Sequence, residues 1–399
     1  MRDTIVTLGL TSIFLLSGCV TTDQGQRIVG EKATDKASTA AMLELESAKA
    51  EDTIRRSGDR IIDPNLERYV QTIAEASAGD FGEEINVYLL QAPVFNAFMM
   101  PNGTMGVYSG LLLRAETEDE LALVLGHEFG HYYEKHVEER FAAANNANIL
   151  FAATGYSLIG LIVAGAEISS FSRSQESEAD KIGAEILPGT GYDSAVAIRL
   201  WDNLEAEKKA SSIRAVRKRG SSIFDTHPTS LERLDTLKTL VGVEGPLPEP
   251  SAEKREAYRA IIRPYLLTWL EDEIGRRDAG STLHLLDRLD AVPGDEGTLL
   301  YARARVIDRA LSNKRLKKDK LTRKLMETYS PETVIELLEA STSNADAPAQ
   351  AHRELGNRLY KAGRHTEASR AFQVYLDQNP AAKDAALIKS LMLKSEGSS

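Results

Sequence analysis

Apolar positions along the 399-residue chain change period several times, and each change predicts an element. Ile5 to Leu16 is an apolar run behind a charged start, too short to cross a bilayer and shaped like the apolar core of a secretory signal. From Val20 to about Arg60 the chain is polar and rich in Ala, Lys and Glu, the pattern of a tether followed by a helix. Helical spacing resumes behind Asp63-Pro64, where Leu66, Tyr69, Val70 and Ile73 share one face. Ile85 to Leu90 alternates as a strand does. The stretches Asn96 to Met100 and Thr104 to Tyr108 flank the turn residues Pro101-Asn102-Gly103 and predict a hairpin. Thr117-x-x-Glu120 is a capping box expected to open a helix that runs past His136.

Ile149 to Ala166 is the most hydrophobic internal stretch. Thr154, Ser157 and glycines 155, 160 and 165 dilute it, which favours helices buried beside the site or touching a bilayer over a full span. A second helical pattern covers Ser174 to Leu187, and more helix follows through Asp225. Val243 to Ser251, rich in Pro and Glu, reads as a linker, and beyond it the pattern is helical throughout. Within that last part Leu355-Gly356, Ala368, Phe372 and Pro380 fall where a tetratricopeptide (TPR) repeat places its packing residues. Tyr265 to Pro293 and Leu300 to Pro331 look like degenerate copies, with Leu285 at the position of Phe372. A plain helical cap packed on the preceding domain is the competing reading. The expected organisation is therefore a signal over 1–18, a tether and helix over 19–60, a first domain over 61–242, a linker over 243–252 and a TPR-like domain over 253–399.

Composition narrows the function. With 42% hydrophobic and 27% charged residues the chain is neither disordered nor fibrous. A net charge of −11 argues against nucleic acid as a partner. Its single cysteine, Cys19, excludes internal disulfides, cysteine-ligated zinc fingers and CxxC redox pairs. Cys19 follows Leu16-Ser17-Gly18, which resembles a bacterial lipobox, where the cysteine is lipidated and becomes the mature N-terminus. Val20 rather than Asp follows it, which by resemblance to enterobacterial lipoproteins points to the outer membrane. An ordinary cleaved signal is the alternative.

The chemistry centres on His127-Glu128-Phe129-Gly130-His131, an HExxH motif on the helix opened at Thr117. Residues four apart on a helix lie about 40° apart around its axis, so both imidazoles can reach one metal ion. Glu128, about 100° away, can touch a water on that metal without ligating it. With seven histidines in the chain, the motif is expected by chance in about one such sequence in a hundred. Two histidines do not complete a catalytic zinc site, which takes three protein ligands and keeps one position open. On a continuous helix His136 would lie about 180° from His127, which suits a structural or supporting role. Glu176 and Asp180 are four apart on the second helix, so one can ligate while the other hydrogen-bonds a ligand imidazole.

His127-Glu128-x-Gly130-His131, then Glu176-x-Glu178-Ala179-Asp180-x-x-Gly183, then Thr226-His227-Pro228 with Arg233, resemble the zinc metallopeptidase family of HtpX, BepA and the type I CAAX prenyl proteases. Asn96-Ala97-Phe98, Pro101-x-Gly103 and Ser109-Gly110-Leu111-Leu112 are similar to it as well, and the likeness covers about residues 60 to 240 in order. The resemblance implies an α+β, mostly helical chain: a gluzincin metallopeptidase domain with a small sheet, followed by the all-α TPR-like domain. It implies one Zn2+ per chain held by His127, His131 and Glu176, with Glu128 as general base and Asp180 in support. His227 matches a family position near the metal, where it would donate to the oxyanion or fill the open position and hold the enzyme latent; a turn histidine is the bland alternative. Arg233 would steady this segment or bind a substrate carboxylate, with a surface role as the alternative. Asn96 would bind an extended peptide by strand addition or simply form a turn.

Together these readings predict a lipid-anchored zinc endopeptidase in the cell envelope, facing the periplasm from the outer membrane. Its partners would be unfolded or misassembled proteins and, through the TPR-like domain, outer-membrane assembly machinery. The rival is a chaperone or assembly scaffold with a latent metal site. A membrane-embedded prenyl-protein protease is disfavoured, because only residues 149–166 could span a bilayer. The basic stretches Lys208 to Arg219 and Lys314 to Lys324 read first as solvated segments, and the former could also serve as a lid or touch anionic lipid.

Overall fold

The computed structural model describes residues 31–143, 171–219, 227, 231–290, 292–312, 323–324 and 327–396. Cys19 with its signal segment, the apolar stretch 149–166, Thr226, Pro228 and most of the basic run Lys314 to Lys324 lie outside the described residues.

Helix α1 (Glu31–Arg56) is followed by α2 (Pro64–Ser77), which starts where the sequence predicts. Asp63 caps α2, its carboxylate accepting from the amides of Asn65 and Leu66, and Pro64 occupies the first turn, where no amide donor is needed. Strands β1 (Asn86–Leu90), β2 (Ala97–Met99) and β3 (Thr104–Tyr108) form one sheet in the order β1-β3-β2. The β2-β3 hairpin is antiparallel, as Pro101-Asn102-Gly103 predicts, with Gly103 at φ 82° in the turn. The β1-β3 pairing is parallel, Asn86 opposite Thr104 and Leu90 opposite Tyr108.

Alternation along the strands covers both faces of this sheet. Val87, Leu89, Ala97, Met99, Met105 and Val107 face the main core. Leu90, Phe98, Met100 and Tyr108 face α1, where Ala50 and Ile54 close a second, smaller cluster. Gly106 stands opposite Phe98, and a Cβ there would lie 2.3 Å from the Phe98 ring, so the glycine makes room for the aromatic side chain.

Helix α3 (Ser109–Arg114) leads into α4 (Glu118–Tyr133), whose N-cap Thr117 accepts from the Glu120 amide. Every residue of α4 from Asp119 to His131 is buried. The helix does not run past His136. It ends at Tyr133, Lys135 adopts φ 58°, and α5 (His136–Ala143) starts afresh in a new direction. No glycine or proline marks this break; Lys135 takes up the left-handed backbone that a glycine usually supplies.

Helix α6 (Arg173–Ile186) packs along α4, opened by a reciprocal cap between Ser172 and Gln175. Among the described residues the first half continues with α7 (Ser194–Ala197), α8 (Arg199–Ala210), α9 (Arg214–Arg219) and α10 (Leu231–Leu240). Residues 241–251 carry no regular element, in keeping with the expected linker. After them come α11 (Ala252–Gly275), α12 (Ala279–Leu289), α13 (Glu296–Ser312), α14 (Pro331–Thr342), α15 (Ala349–Lys361), α16 (His365–Gln378) and α17 (Ala385–Glu396).

One hydrophobic core continues across the linker, from Val70 and Leu121 through Leu112 to Trp269, Leu285 and Phe372. Tyr258 of α11 donates from its hydroxyl to the Leu112 carbonyl at 2.7 Å, fastening the later helices onto α3. Among the described residues no helix is long and apolar enough to cross a membrane.

Candidate metal centre

The close approach of α4 and α6 builds the site. At Gly130 an added Cβ would lie 2.8 Å from both the Cα and the carbonyl oxygen of Ala179. At Gly183 it would lie 3.1 Å from the His127 amide nitrogen. The two backbones therefore nearly touch, and that contact sets how far Glu176 of α6 stands from His127 and His131 of α4. Gly130→Ala must push α6 outward against backbone atoms, and we expect metal affinity to fall by about tenfold or more with helical content retained. Gly183→Ala, with a looser fit, should cost less. Titration of both variants against a chelating indicator dye checks this, and wild-type affinity in Gly130→Ala would exclude the account.

Four side chains converge. His127, His131, Glu176 and His227 are all buried, and each offers one ligand atom lying within 4.8 Å of the others. His131 Nε2 is 3.1 Å from His127 Nε2, and His127 Nε2 is 3.3 Å from His227 Nδ1. Glu176 Oε1 is 3.0 Å from His227 Nδ1 and 3.5 Å from His131 Nε2. These spacings bracket the roughly 3.3 Å edge of a tetrahedron whose metal–nitrogen bonds are about 2.0–2.1 Å.

The donor chemistry agrees with a cation. His127 Nδ1 meets Asp180 Oδ1 at 2.9 Å. A carboxylate can only accept, so His127 carries its hydrogen on Nδ1 and turns the Nε2 lone pair into the cluster. A nitrogen lone pair beside a buried carboxylate suits a metal ion.

Charge is arranged around this centre. Burial alone would push the Glu176 carboxyl up, but His227, His131 and His127 outweigh it and hold Glu176 well below the usual carboxylate range. Burial drives His131 well below the ordinary imidazole value, which keeps it neutral and competent as a ligand. Burial also opposes charge on Asp180, yet Arg233 wins and lowers its pKa. Arg233 grips Asp180 with Nε at 2.5 Å and Nη2 at 2.7 Å, and its Nη1 stands 2.5 Å from Glu176 Oε2. The guanidinium lies over the Trp201 ring at 4.9 Å.

Glu128 is buried, and its Oε1 has no hydrogen-bond partner among the described residues. Burial raises its pKa, partly offset by His227 and His127. His227 Nε2 stands 3.7 Å from Glu128 Oε1. Burial works against charge on His227, but Glu128 and Glu176 outweigh it and raise its pKa.

The structure thus brings His127, Glu128, His131, Glu176, Asp180, His227 and Arg233 into one cluster. Arg233 is buried rather than on the surface; it donates to Asp180, its Nη2 lies 3.2 Å from both ring nitrogens of His127, and its Nη1 lies beside Glu176. Asn96 lies just before β2: its carbonyl accepts from the Tyr108 amide, and its Oδ1 is buried without a partner among the described residues. His136 packs beside His131, Nδ1 to Nδ1 at 2.9 Å. Two residues of the site had no signal in the sequence. Phe171 stacks on the His131 ring at 3.9 Å, and Trp201 of α8 floors Arg233.

The profile described as Peptidase family M48 matches residues 61–241. Metalloprotease LoiP of Escherichia coli (strain K12) is 26% identical over 259 residues, covering 61% of this chain and 98% of LoiP. Metalloprotease YcaL of the same strain is 26% identical over 256 residues, 60% of this chain and 97% of YcaL. The β-barrel assembly-enhancing protease of Yersinia pestis is 28% identical over 219 residues, 50% of this chain but only 44% of that protein.

Proposed function

We propose that this chain, whose residues 61–241 match the profile of peptidase family M48, is a metalloendopeptidase that uses zinc to hydrolyse peptide bonds in misfolded or stalled proteins of the cell envelope. The observation that carries the reading is the convergence of His127, His131, Glu176 and His227 around a point beside the buried carboxylate of Glu128.

In this reading His127, His131 and Glu176 hold the zinc ion, and Asp180 with Arg233 fixes the His127 ring from behind. Zinc, when bound, supplies Lewis acidity that polarises a carbonyl and makes a nearby water acidic near neutral pH. Glu128 takes the proton from the attacking water and hands it to the leaving amine; its unpartnered Oε1 and raised pKa suit both transfers. His227, whose Nε2 stands 3.7 Å from Glu128 Oε1, is placed to donate to the developing oxyanion. Asn96, at the start of the edge strand β2, binds an extended peptide by strand addition.

A specific feature favours the latent alternative beside this one. Four protein donors close a tetrahedral site, whereas catalytic sites keep one position open. With His227 as fourth ligand the enzyme is held inactive until that residue withdraws.

The expected location is the outer membrane, with lipidated Cys19 as anchor. Helices α11–α17 are read as TPR-like: Gly356 of α15 lets the Phe372 ring of α16 approach so closely that a Cβ would meet it at 2.5 Å. By analogy with the named activity of the Yersinia relative, clients would be outer-membrane β-barrel proteins and their assembly machinery. The test incubates the zinc-loaded chain and His227→Ala with an unfolded β-barrel precursor. Cleavage by wild type, abolished by a chelator, is the expected result; cleavage by His227→Ala alone identifies the latent form. No cleavage by either would exclude the peptidase reading for this substrate class.

A further inference from the structure

His136, outside the four-residue cluster, is buried at 1% exposure, and both of its ring nitrogens have a polar neighbour. Its Nδ1 faces His131 Nδ1 at 2.9 Å, and its Nε2 faces Glu178 Oε2 at 3.0 Å. We propose that Glu178 and His136 form a positioning relay that fixes the tautomer of His131, so that its Nε2 lone pair points at the metal.

The direction of the relay follows from its far end. The Glu178 carboxylate only accepts, so the hydrogen between the pair sits on His136 Nε2. With a single hydrogen on the ring, taken by Nε2 toward Glu178, His136 Nδ1 is left as an acceptor. His131 must then donate from Nδ1, and its Nε2 is left bare, 3.1 Å from His127 Nε2 and 3.5 Å from Glu176 Oε1. Phe171 stacks on the same ring and sets its plane, but a stacking contact is indifferent to which nitrogen holds the hydrogen.

The break between α4 and α5 makes the relay possible. On a continuous helix His136 would point away from His131; Lys135 at φ 58° turns the chain so that the two rings meet. The two metal-facing histidines are therefore oriented by separate devices. His127 is held by Asp180, itself gripped by Arg233. His131 is held by His136, itself held by Glu178.

The inference rests on the metal-ligand reading of His131, and the experiment separates the two. Long-range 1H–15N spectra of metal-free protein labelled at histidine report the His131 tautomer directly. Wild type should show His131 as the Nδ1–H form, and His136→Ala should show a mixture or the Nε2–H form. Cobalt(II) affinity should fall about 10–100-fold in His136→Ala. His136→Gln, whose amide can accept from His131 and donate to Glu178, should recover most of that loss. Glu178→Ala, at a side chain 56% exposed, leaves the fold alone and should cost about tenfold. A folded His136→Ala that keeps wild-type affinity or the Nδ1–H tautomer overturns the relay, as does a Gln variant no better than Ala. Should His136→Ala fail to fold, unchanged affinity and tautomer in Glu178→Ala overturn it equally. Wild type that binds no cobalt would refute the metal reading, while the tautomer measurement would still judge the relay.

Discussion

Glu128→Gln is expected to bind one metal ion per chain with wild-type affinity and to lose about 10²–10⁴-fold in kcat. The substitution is nearly isosteric at a position exposed by only 3%, so packing of α4 should be unchanged. None of the four converging ligand atoms belongs to Glu128. What disappears is a carboxylate able to take and return a proton beside the cluster. Burial raises the Glu128 pKa, which brings its basicity closer to that of its proton donor and makes both transfers productive. Glu176→Ala should behave in the opposite way, losing metal and activity together, since it removes a donor rather than a base. Metal content by mass spectrometry or dye competition, paired with turnover of an unfolded protein, distinguishes the two. Wild-type turnover by Glu128→Gln would refute the assigned base, and loss of metal would show that Glu128 is a ligand instead.

Most of what positions this centre was legible because the signals are local. The pair His127 and His131 depends only on helical period, the cap at Thr117 on a four-residue pattern of which the Thr117 half forms while Glu120 turns to the Glu116 amide, and the β2-β3 hairpin on Pro101-Asn102-Gly103. Helix α6 begins at Arg173, one residue from its expected start. What escaped are contacts whose partners lie far apart or whose backbone breaks a propensity rule. β1 pairs directly with β3 in parallel although β2 comes between them in the sequence, a register that no alternation pattern encodes. Arg233 seats on Asp180, 53 residues away, and then on the face of Trp201. The end of α4 fell to Lys135, a residue type whose intrinsic preference favours continuing the helix, so the turn that returns His136 to His131 had no sequence mark.

Arg114→Ala is expected to destabilise the whole molecule by about 3–5 kcal/mol, roughly 4–6 °C in Tm for a cooperative unit of this size. Arg114 is almost fully buried and donates to both oxygens of Glu207 through Nε, with Nη2 at 2.8 Å from Glu207 and 3.0 Å from Glu273. Glu207 lies on α8 and Glu273 on α11, so one guanidinium joins elements on both sides of the 243–252 linker. Ser281 of α12 donates to Glu207 at 2.5 Å, and Arg276 pairs with Glu273 at 2.9 Å, but neither can neutralise both acids. Removing Arg114 strands buried charge, whereas replacing the set with Met at 114, Leu at 207 and Met at 273 should recover most of the loss. The pH dependence has a definite sign. Burial opposes ionisation of Glu207, but Arg114 outweighs it and holds its pKa below the ordinary 4.5. The stability from this pair is therefore present above about pH 4.5 and is lost as pH falls through the lower folded value. Wild type should lose stability through that acid window more steeply than the apolar triple variant. Because the cluster spans the linker, calorimetry of wild type should show one transition for the peptidase and the later helices. Two separated transitions, or an Arg114→Ala protein of unchanged Tm, would mean that the joint does not hold the two halves as one cooperative unit.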